Sequence, residues 1–292
     1  MIARPFVLHT VGMEIQVLAK KEFPERLGEI PQPPKQLYAR GAWPSKETKY
    51  LAVVGSRALT PYGQDACEYL IRGLAGYPIS IVSGLALGAD ACAHKAALAA
   101  GLHTIAVLGS GVDDPSVYPR ANAPLATDIL SSGGLLVSEN PEGYKAQIFD
   151  FPKRNRIVVG LSQAVLVIEA GPKSGTLITA RLSGEYNRDL LCVPHRINDP
   201  HGVASHTFLR IGGALVSEPL HILEALGIAA REESKEEVGG DEKVVYDLLT
   251  TPRSRTDLIR LSGFDPTLAF KVLTTLELKK LIQEEFGVWR RL

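Results

Sequence analysis

Lys49-Tyr50-Leu51-Ala52-Val53-Val54-Gly55-Ser56-Arg57 decides the fold. Residues 49–54 are rich in apolar side chains and lack the alternation of a strand with one wet face. They predict a strand buried on both faces, closed by Gly55. The pattern repeats downstream. Residues 62–74 carry a helical period, with Ala66, Tyr69, Leu70 and Leu74 on one face. Residues 79–83 form a second strand ending in Gly84. Residues 89–100 are an Ala-rich helix stopped by Gly101. Strand 103–108 ends in Gly109-Ser110-Gly111, helix 122–131 follows, and then strand 135–138. Helix 155–161, strand 164–168, helix 176–188 and strand 190–193, closed by Pro194, complete the series. Unalternating strands separated by helices predict a doubly wound α/β fold with a mostly parallel sheet. Ligands in such folds sit at the carboxyl ends of the strands.

The flanks differ. Residues 1–44 include Ile30-Pro31-Gln32-Pro33-Pro34, which cannot be helical and reads as an extended lead-in. The Rossmann-like core spans 45–228. Residues 229–240 are charged, end in two glycines and read as a linker. Residues 241–292 form a last module. Helices are expected at 242–249, at 254–261 with Ser254 as N-cap and Gly263 beyond its end, and from Pro266 to Lys280 with Leu268, Val272, Leu276 and Leu278 among its apolar positions. A hairpin follows around Phe286-Gly287. Three helices and a wing make a small C-terminal winged helix-turn-helix. Its nearly balanced charge suits a protein contact better than a duplex groove.

Composition sets limits. The 292 residues are 45% hydrophobic, enough for one sizeable core and a small second domain. No apolar run reaches the roughly 20 residues needed to cross a bilayer, so no membrane partner is expected. The first residues lack a long apolar stretch with a cleavage site, so no signal peptide is expected. Three scattered cysteines, Cys67, Cys92 and Cys192, give neither a disulfide framework nor metal-ligand spacing. No metal or cofactor is expected, and a cytoplasmic location is. The formal net charge is zero. Any grip on an anion must then come from local clustering.

The strand ends supply such clusters. Gly55-Ser56-Arg57 offers close backbone approach, a hydroxyl and a forked cation, which suit a phosphate. A tight turn with a solvated Arg has the same letters. Ser83-Gly84-Leu85-Ala86-Leu87-Gly88-Ala89-Asp90 places backbone N–H groups at a helix start. Asp90 and His94 share a helix face, a spacing that serves an oriented general base or a structural pair. Gly109-Ser110-Gly111 lacks the third glycine of a dinucleotide fingerprint, since position 114 is Asp114. Phe151-Pro152-Lys153-Arg154-Asn155-Arg156 is the densest basic cluster of the core, directly before a helix, with Tyr144 and Phe149 upstream. Interleaved rings and cations suit a single strand of nucleic acid, phosphates to the charges and bases to the rings. A solvated basic turn is the plain alternative. Glu169-Ala170-Gly171-Pro172-Lys173-Ser174-Gly175-Thr176 is not a P-loop, because its Lys stands before the second Gly. Ser174, Gly175 and Thr176 still form an anion nest. Glu169 is expected to pair with an arginine. No nucleophile and base stand out, so no catalytic residues are expected.

Seven ordered motifs across residues 45–215 resemble the bacterial DNA-processing protein A (Smf) family. They are Ala52-Val53-Val54-Gly55-Ser56-Arg57; Ser83 to Asp90 with His94; Val107-Leu108-Gly109-Ser110-Gly111 with Tyr118-Pro119; Gly133-Gly134 with Ser138-Glu139; Phe151 to Val158; Glu169-Ala170 with Ser174-Gly175-Thr176; and Thr179-Ala180. The resemblance implies an extended Rossmann fold that binds single-stranded DNA, forms a homodimer through that domain, and loads the recombinase RecA on incoming DNA in natural transformation. It places DNA contacts on Arg57, Lys153, Arg154 and Arg156, with Phe151 nearby. Backbone or hydroxyl contacts fall on Gly55, Ser56, Gly84, Gly88, Ser174, Gly175 and Thr176; Ser83 and Asn155 complete the expected site.

Three departures stand out. Pro194-His195 replaces the family's Pro-Gly. Ser205-His206-Thr207 replaces its Gly-x-Asn. Residues 1–44 are too short for its usual N-terminal helical domain. The rival expectation is a nucleotide-derivative sensor or N-glycosidic hydrolase using the same pocket, with Glu169 as its carboxylate.

Overall fold

The lead-in joins the sheet rather than preceding it. β1 (Gln16–Ala19) and β2 (Gln36–Gly41) pair antiparallel, with the short helix α1 (Glu25–Gly28) between them. Leu37 and Ala39 are buried while Gln36 and Tyr38 are not, so this strand does alternate. Phe23, Leu27 and Ile30 bury against the sheet's helical cover. The prolines at 31, 33 and 34 occupy only the link between α1 and β2. The computed structural model describes residues 14–171, 175–231, 238–279, 281–285 and 287–291. It falls into two units, Met1–Ala230 and Arg231–Leu292.

The first unit continues with β3 (Lys49–Val54), α2 (Pro61–Arg72), β4 (Ile79–Ser83), α3 (Ala89–Ala99), β5 (His103–Leu108), α4 (Ala123–Ser131) and β6 (Leu135–Ser138). Then come α5 (Asp150–Leu161), β7 (Ala164–Val167), α6 (Thr176–Glu185), β8 (Asp189–Cys192), α7 (Val203–Arg210), β9 (Ala214–Leu215) and α8 (Pro219–Ala225). Among the described residues the sheet has nine strands, in the order β1-β2-β6-β5-β4-β3-β7-β8-β9. From β6 to β9 every pairing is parallel, and β2 joins β6 antiparallel. The chain therefore runs outward from β3 to β6, crosses back through α5, and resumes at β7 beside β3. The doubly wound sheet read from the sequence is the one that forms.

The lack of alternation in β3 has its cause in two covers. Ala52 and Val54 pack into the layer holding Ile157, Val158 and Leu161 of α5. Leu51 and Val53 pack into the opposite layer with Cys67, Leu70 and Ile71 of α2. Truncating one such fully buried Leu to Ala costs about 2–5 kcal/mol. Local signals set the helix ends. Thr60 caps α2 by accepting from the Gly63 N–H at 3.1 Å, and Pro61 occupies the first helical position. Gly101, at φ +66°, ends α3.

The second unit holds α9 (Gly240–Leu248), β10 (Arg253–Ser254), α10 (Arg255–Ser262), α11 (Pro266–Leu278), β11 (Ile282–Glu285) and β12 (Val288–Arg291). Its strands form an antiparallel sheet in the order β10-β12-β11. Val245, Leu258, Leu273, Leu276, Ile282 and Trp289 make its core. Ser254 caps α10, Gly263 follows it in the left-handed region, and Asp265 caps α11. This is the expected winged helix. Leu278 leaves the apolar stripe and is exposed, because it stands two positions past buried Leu276. Residues 232–237 of the expected linker, Lys280 and Phe286 lie outside the described residues.

Candidate functional site

The crossover through α5 builds the site. That helix carries its first turn over the ends of β3, β4 and β5, where the loops Gly55–Arg57, Gly84–Gly88 and Gly109–Gly111 emerge. The helix starts at Asp150, five residues before the expected start. Pro152 is tolerated because it lies in the first turn, where backbone N–H groups have no intrahelical acceptor. Asp150 fixes this start by accepting from the Gln147 N–H at 2.8 Å and the Tyr144 hydroxyl at 2.9 Å. The basic residues are therefore on the helix, not before it.

Helical geometry then separates the cations. Lys153 and Arg156 are three residues apart and share a face. Both turn to Glu139, just beyond β6. Arg156 donates to both Glu139 oxygens, at 2.6 and 2.5 Å, and to the Gln32 carbonyl at 2.5 Å. Lys153 lies 3.3 Å from Glu139 and stays half exposed. Arg154 points the other way. Its side chain is only 7% exposed, and Nη1 stands 3.7 Å from Asp90 Oδ2. Asp90 in turn accepts from the Gly84 N–H at 3.1 Å and the Ala86 N–H at 3.3 Å. Arg154 Nε has no partner among the described residues. Burial lowers the Arg154 pKa, Asp90 opposes that, and Arg57 adds to it.

Two glycines permit this arrangement. A Cβ at Gly84 would fall on the Arg154 guanidinium. Gly88, at φ +75°, lies against the carbonyls of Ser56 and Arg57, and the following Ala89 N–H donates to Ser56 O at 3.0 Å. The loops after β3 and β4 are thus locked together.

The exposed wall is aromatic. The Arg57 guanidinium carbon sits 5.3 Å from the Phe151 ring centroid. Phe151 faces Tyr118 at 5.7 Å with a 36° tilt. Arg57, Gly84, Leu87, Tyr118, Phe151 and Arg154 line an open cleft. Ile148 and Phe149, on the loop before α5, are 88% and 66% exposed.

Other expected residues take supporting places. The Ser83 hydroxyl is buried and donates to the Val53 carbonyl at 2.6 Å, inside the sheet. Ser56 closes its own turn, donating to Ala58 O and accepting from Ala58 N–H. Gly55 backs onto Ala89 and Glu169. Asn155 is half buried on α5. Gly175 and Thr176 open α6 beyond β7 and do not line the cleft; Ser174 lies outside the described residues.

Two expectations are corrected. His94 does not pair with Asp90. The Thr104 hydroxyl donates to the Ile81 carbonyl at 2.9 Å, so it accepts from His94 Nδ1–H at 2.7 Å. Burial and then the Arg154 charge push the His94 pKa down to about 3, so it stays neutral beneath the cleft. Glu169 does not pair with an arginine. Fully buried, it accepts from the Thr60 N–H at 3.0 Å and from the Thr60 hydroxyl, and lies 4.0 Å from His195 Nε2. His195 Nδ1–H donates to Val193 O at 3.0 Å, the Tyr62 ring stands edge-on to it at 5.3 Å, and His206 Nε2 donates to its carbonyl at 3.1 Å. Gly202 leaves the room that His195 needs. The departures at 195 and 206 therefore form one packed unit that seals Glu169 from substrate.

Sequence reasoning passed over Asp90 as the anchor of Arg154, Glu139 as that of Arg156, and Tyr118 and Leu87 as cleft walls. Their partners are too distant in sequence to reveal these roles. Leu87, Asp90, Tyr118 and Glu139 all stand within the ordered motifs, which mark these positions without showing what each side chain meets.

Fold and site define a class: a Rossmann-like α/β protein whose strand ends hold a basic, aromatic-walled cleft, joined to a winged helix. Within that class the chain belongs to the DNA recombination-mediator protein A family, whose profile matches residues 14–227. It is 41% identical over 204 residues to protein Smf of Escherichia coli, covering 70% of this chain and 54% of that protein. It is 39% identical over 201 residues to the DNA processing protein DprA of Streptococcus pneumoniae, covering 69% and 70%. The chain thus spans about half the length of the Escherichia coli relative. The X-ray structure of the Streptococcus pneumoniae protein superposes with a TM-score of 0.68 at 36% identity, over 72% of this chain and 74% of that one. A structure of the Helicobacter pylori protein, described for its single-stranded DNA binding mode, gives 0.64 at 29% identity, over 73% and 96%. No helix among the described residues is long and apolar enough to cross a membrane.

Proposed function

We propose that this protein is a non-enzymatic, single-stranded-DNA-binding recombination mediator. It protects incoming DNA and loads the recombinase RecA in natural transformation. The observation that carries the reading is the cleft itself. A nearly buried Arg154, with one carboxylate at 3.7 Å, lies beside exposed Arg57 and the rings of Phe151 and Tyr118. A phosphate entering here meets the exposed Arg57 charge beside the Arg154–Asp90 pair, and adjacent bases find rings to stack on. The single-stranded DNA mode of the Helicobacter pylori relative supports the same ligand. Arg57, Lys153 and Arg154 act as phosphate contacts. Arg156 orders Glu139 behind them.

The protein acts in the cytoplasm as a homodimer through its Rossmann-like domain. Apolar side chains around the edge strand β9, Ile211 at 74% exposure and Leu215 at 49%, support self-association there. The sealed position of Glu169 weighs against a hydrolase. The deciding experiment is affinity for a labelled oligothymidine with nucleoside monophosphates as competitors. Tight oligonucleotide binding that millimolar mononucleotide does not displace supports the mediator. Displacement by mononucleotide at low concentration, or release of free base, overturns it.

A further inference from the structure

Ile148 and Phe149, at the head of α5, are the most exposed apolar side chains beside the cleft, at 88% and 66%. The loop that carries them is tied down. The Gly111 N–H donates to the Tyr144 carbonyl at 2.9 Å, the Gly143 N–H to Asp113 at 2.9 Å, and the Gln147 N–H to Asp150 at 2.8 Å. Phe149 itself has helical backbone angles, and its carbonyl accepts from the Lys153 N–H at 3.5 Å. An anchored backbone therefore holds this ring out. Among the described residues no other ring stacks on it and no cation covers it.

Helical spacing puts Phe149 and Lys153 on one flank of α5. Phe151 lies on the other flank, where its ring already meets Arg57 at 5.3 Å and Tyr118 at 5.7 Å. The charges near Phe149 are not closed among themselves. Glu139 brings one negative charge and faces two cations, Arg156 at 2.5 Å and Lys153 at 3.3 Å, so this trio keeps one positive charge in excess. Asp150 borders the same flank, but it is buried and accepts from the Tyr144 hydroxyl and the Gln147 N–H, whereas Lys153 is half exposed. An arriving anion meets the lysine first. A hollow lined by Gly109, Glu139, Asn140, Asp150 and Lys153 runs alongside, and it shares Gly109 and Arg154 with the cleft. A free ring, a spare cation and continuity with the cleft fit one further nucleotide of a strand already seated there.

We propose that Phe149 and Lys153 form a second nucleotide subsite, in which a base of the bound single strand stacks on the Phe149 ring and its phosphate meets Lys153. The subsite rests on the single-strand reading of the cleft. It grips the strand without reading it, because every base offers a π face to the ring. Ile148 widens the apolar surface beside that ring. The subsite also supplies a reason for length selectivity. A mononucleotide seated against Arg57 fills the cleft alone, whereas a longer strand reaches across the start of α5 and gains a second stacked base. Because the loop is already anchored, little ordering is left to be done when the base arrives.

The test titrates the full chain with labelled oligothymidine across salt concentrations. Phe149→Ala should weaken binding about tenfold, the order of one stacked base, and leave the log–log salt slope unchanged, because no phosphate contact is lost. Phe149→Trp should keep the affinity, and its indole emission should be quenched on binding beyond any change in wild type, whose tryptophans are Trp43 and Trp289. The side chain is exposed, so neither substitution threatens the fold. Wild-type binding with Phe149→Ala equally tight, or with Phe149→Trp emission unchanged by the strand, overturns the subsite and leaves the cleft standing. Dissociation of a dimer by Phe149→Ala, with affinity per chain unchanged, assigns the ring to a contact between copies and likewise overturns it. A wild type that binds no oligothymidine overturns cleft and subsite together.

Discussion

Arg154 occupies the volume that a side chain at residue 84 would need: a Cβ on Gly84 would fall on its guanidinium. One loop position thereby decides whether Arg154 can take its place in the cleft. The displaced atoms are the tip of a flexible side chain, so Gly84→Ala should fold, at a cost of about 1–3 kcal/mol. Its affinity for single-stranded DNA should fall as far as that of Arg154→Met. Matched denaturant melts and oligonucleotide titrations check this; unchanged affinity in Gly84→Ala would show that Arg154 makes no contact.

Arg57, Lys153 and Arg156 should not behave alike. Arg57→Ala and Lys153→Ala should each lower the log–log salt slope of binding by about 0.7, the value for one lost phosphate contact on a single strand. Arg156→Ala should leave the slope unchanged, because its guanidinium is committed to Glu139 and Gln32. Its effect belongs in stability instead. Gel-shift titrations across salt concentrations read the difference, and equal slope changes for all three would refute the division of roles.

His94 predicts a pH dependence of stability. Its pKa is about 3 folded, against an ordinary 6.5. The folded state thus binds fewer protons than the unfolded state between those values. The sign follows: stability is fully present above about 6.5 and declines as pH falls toward 3, by about 1.4 kcal/mol per pH unit from this group. His94→Asn keeps a donor for Thr104 without the titration. Its melting temperature, compared with wild type from pH 7 to pH 4, should fall less steeply. Parallel curves would mean that another group governs the acid limb.

Thr60 both caps α2 and satisfies buried Glu169. Thr60→Ala should cost about 1–2 kcal/mol for the cap, and more for a buried carboxylate deprived of a donor. Thr60→Ser retains the hydroxyl and should recover most of it. Chemical denaturation distinguishes them; equal losses would assign the effect to the missing methyl group.

Much of this was legible in the chain because its signals are local. Residues 49–54 show no alternation since both faces are covered, and that feature needs no knowledge of the covers. The Ser254 and Gly263 marks at the ends of α10 read correctly for the same reason. β2 escaped notice because its two buried positions, Leu37 and Ala39, are too few to show a period. The start of α5 was misplaced because Pro152 reads as a breaker unless it is already known to lie in a first turn. Lys153-Arg154-Asn155-Arg156 then looked like one basic patch.

The sequence by itself determined the parallel sheet, the winged helix and the supply of glycines and cations at the strand ends. Only the tertiary structure decided which cation faces the cleft. That depends on Asp90 and Glu139, residues far from α5 in the chain, which the crossover from β6 to β7 brings against opposite faces of its first turns. A charge engaged by a distant carboxylate and a charge left for a ligand are written with the same letter, and only packing distinguishes them.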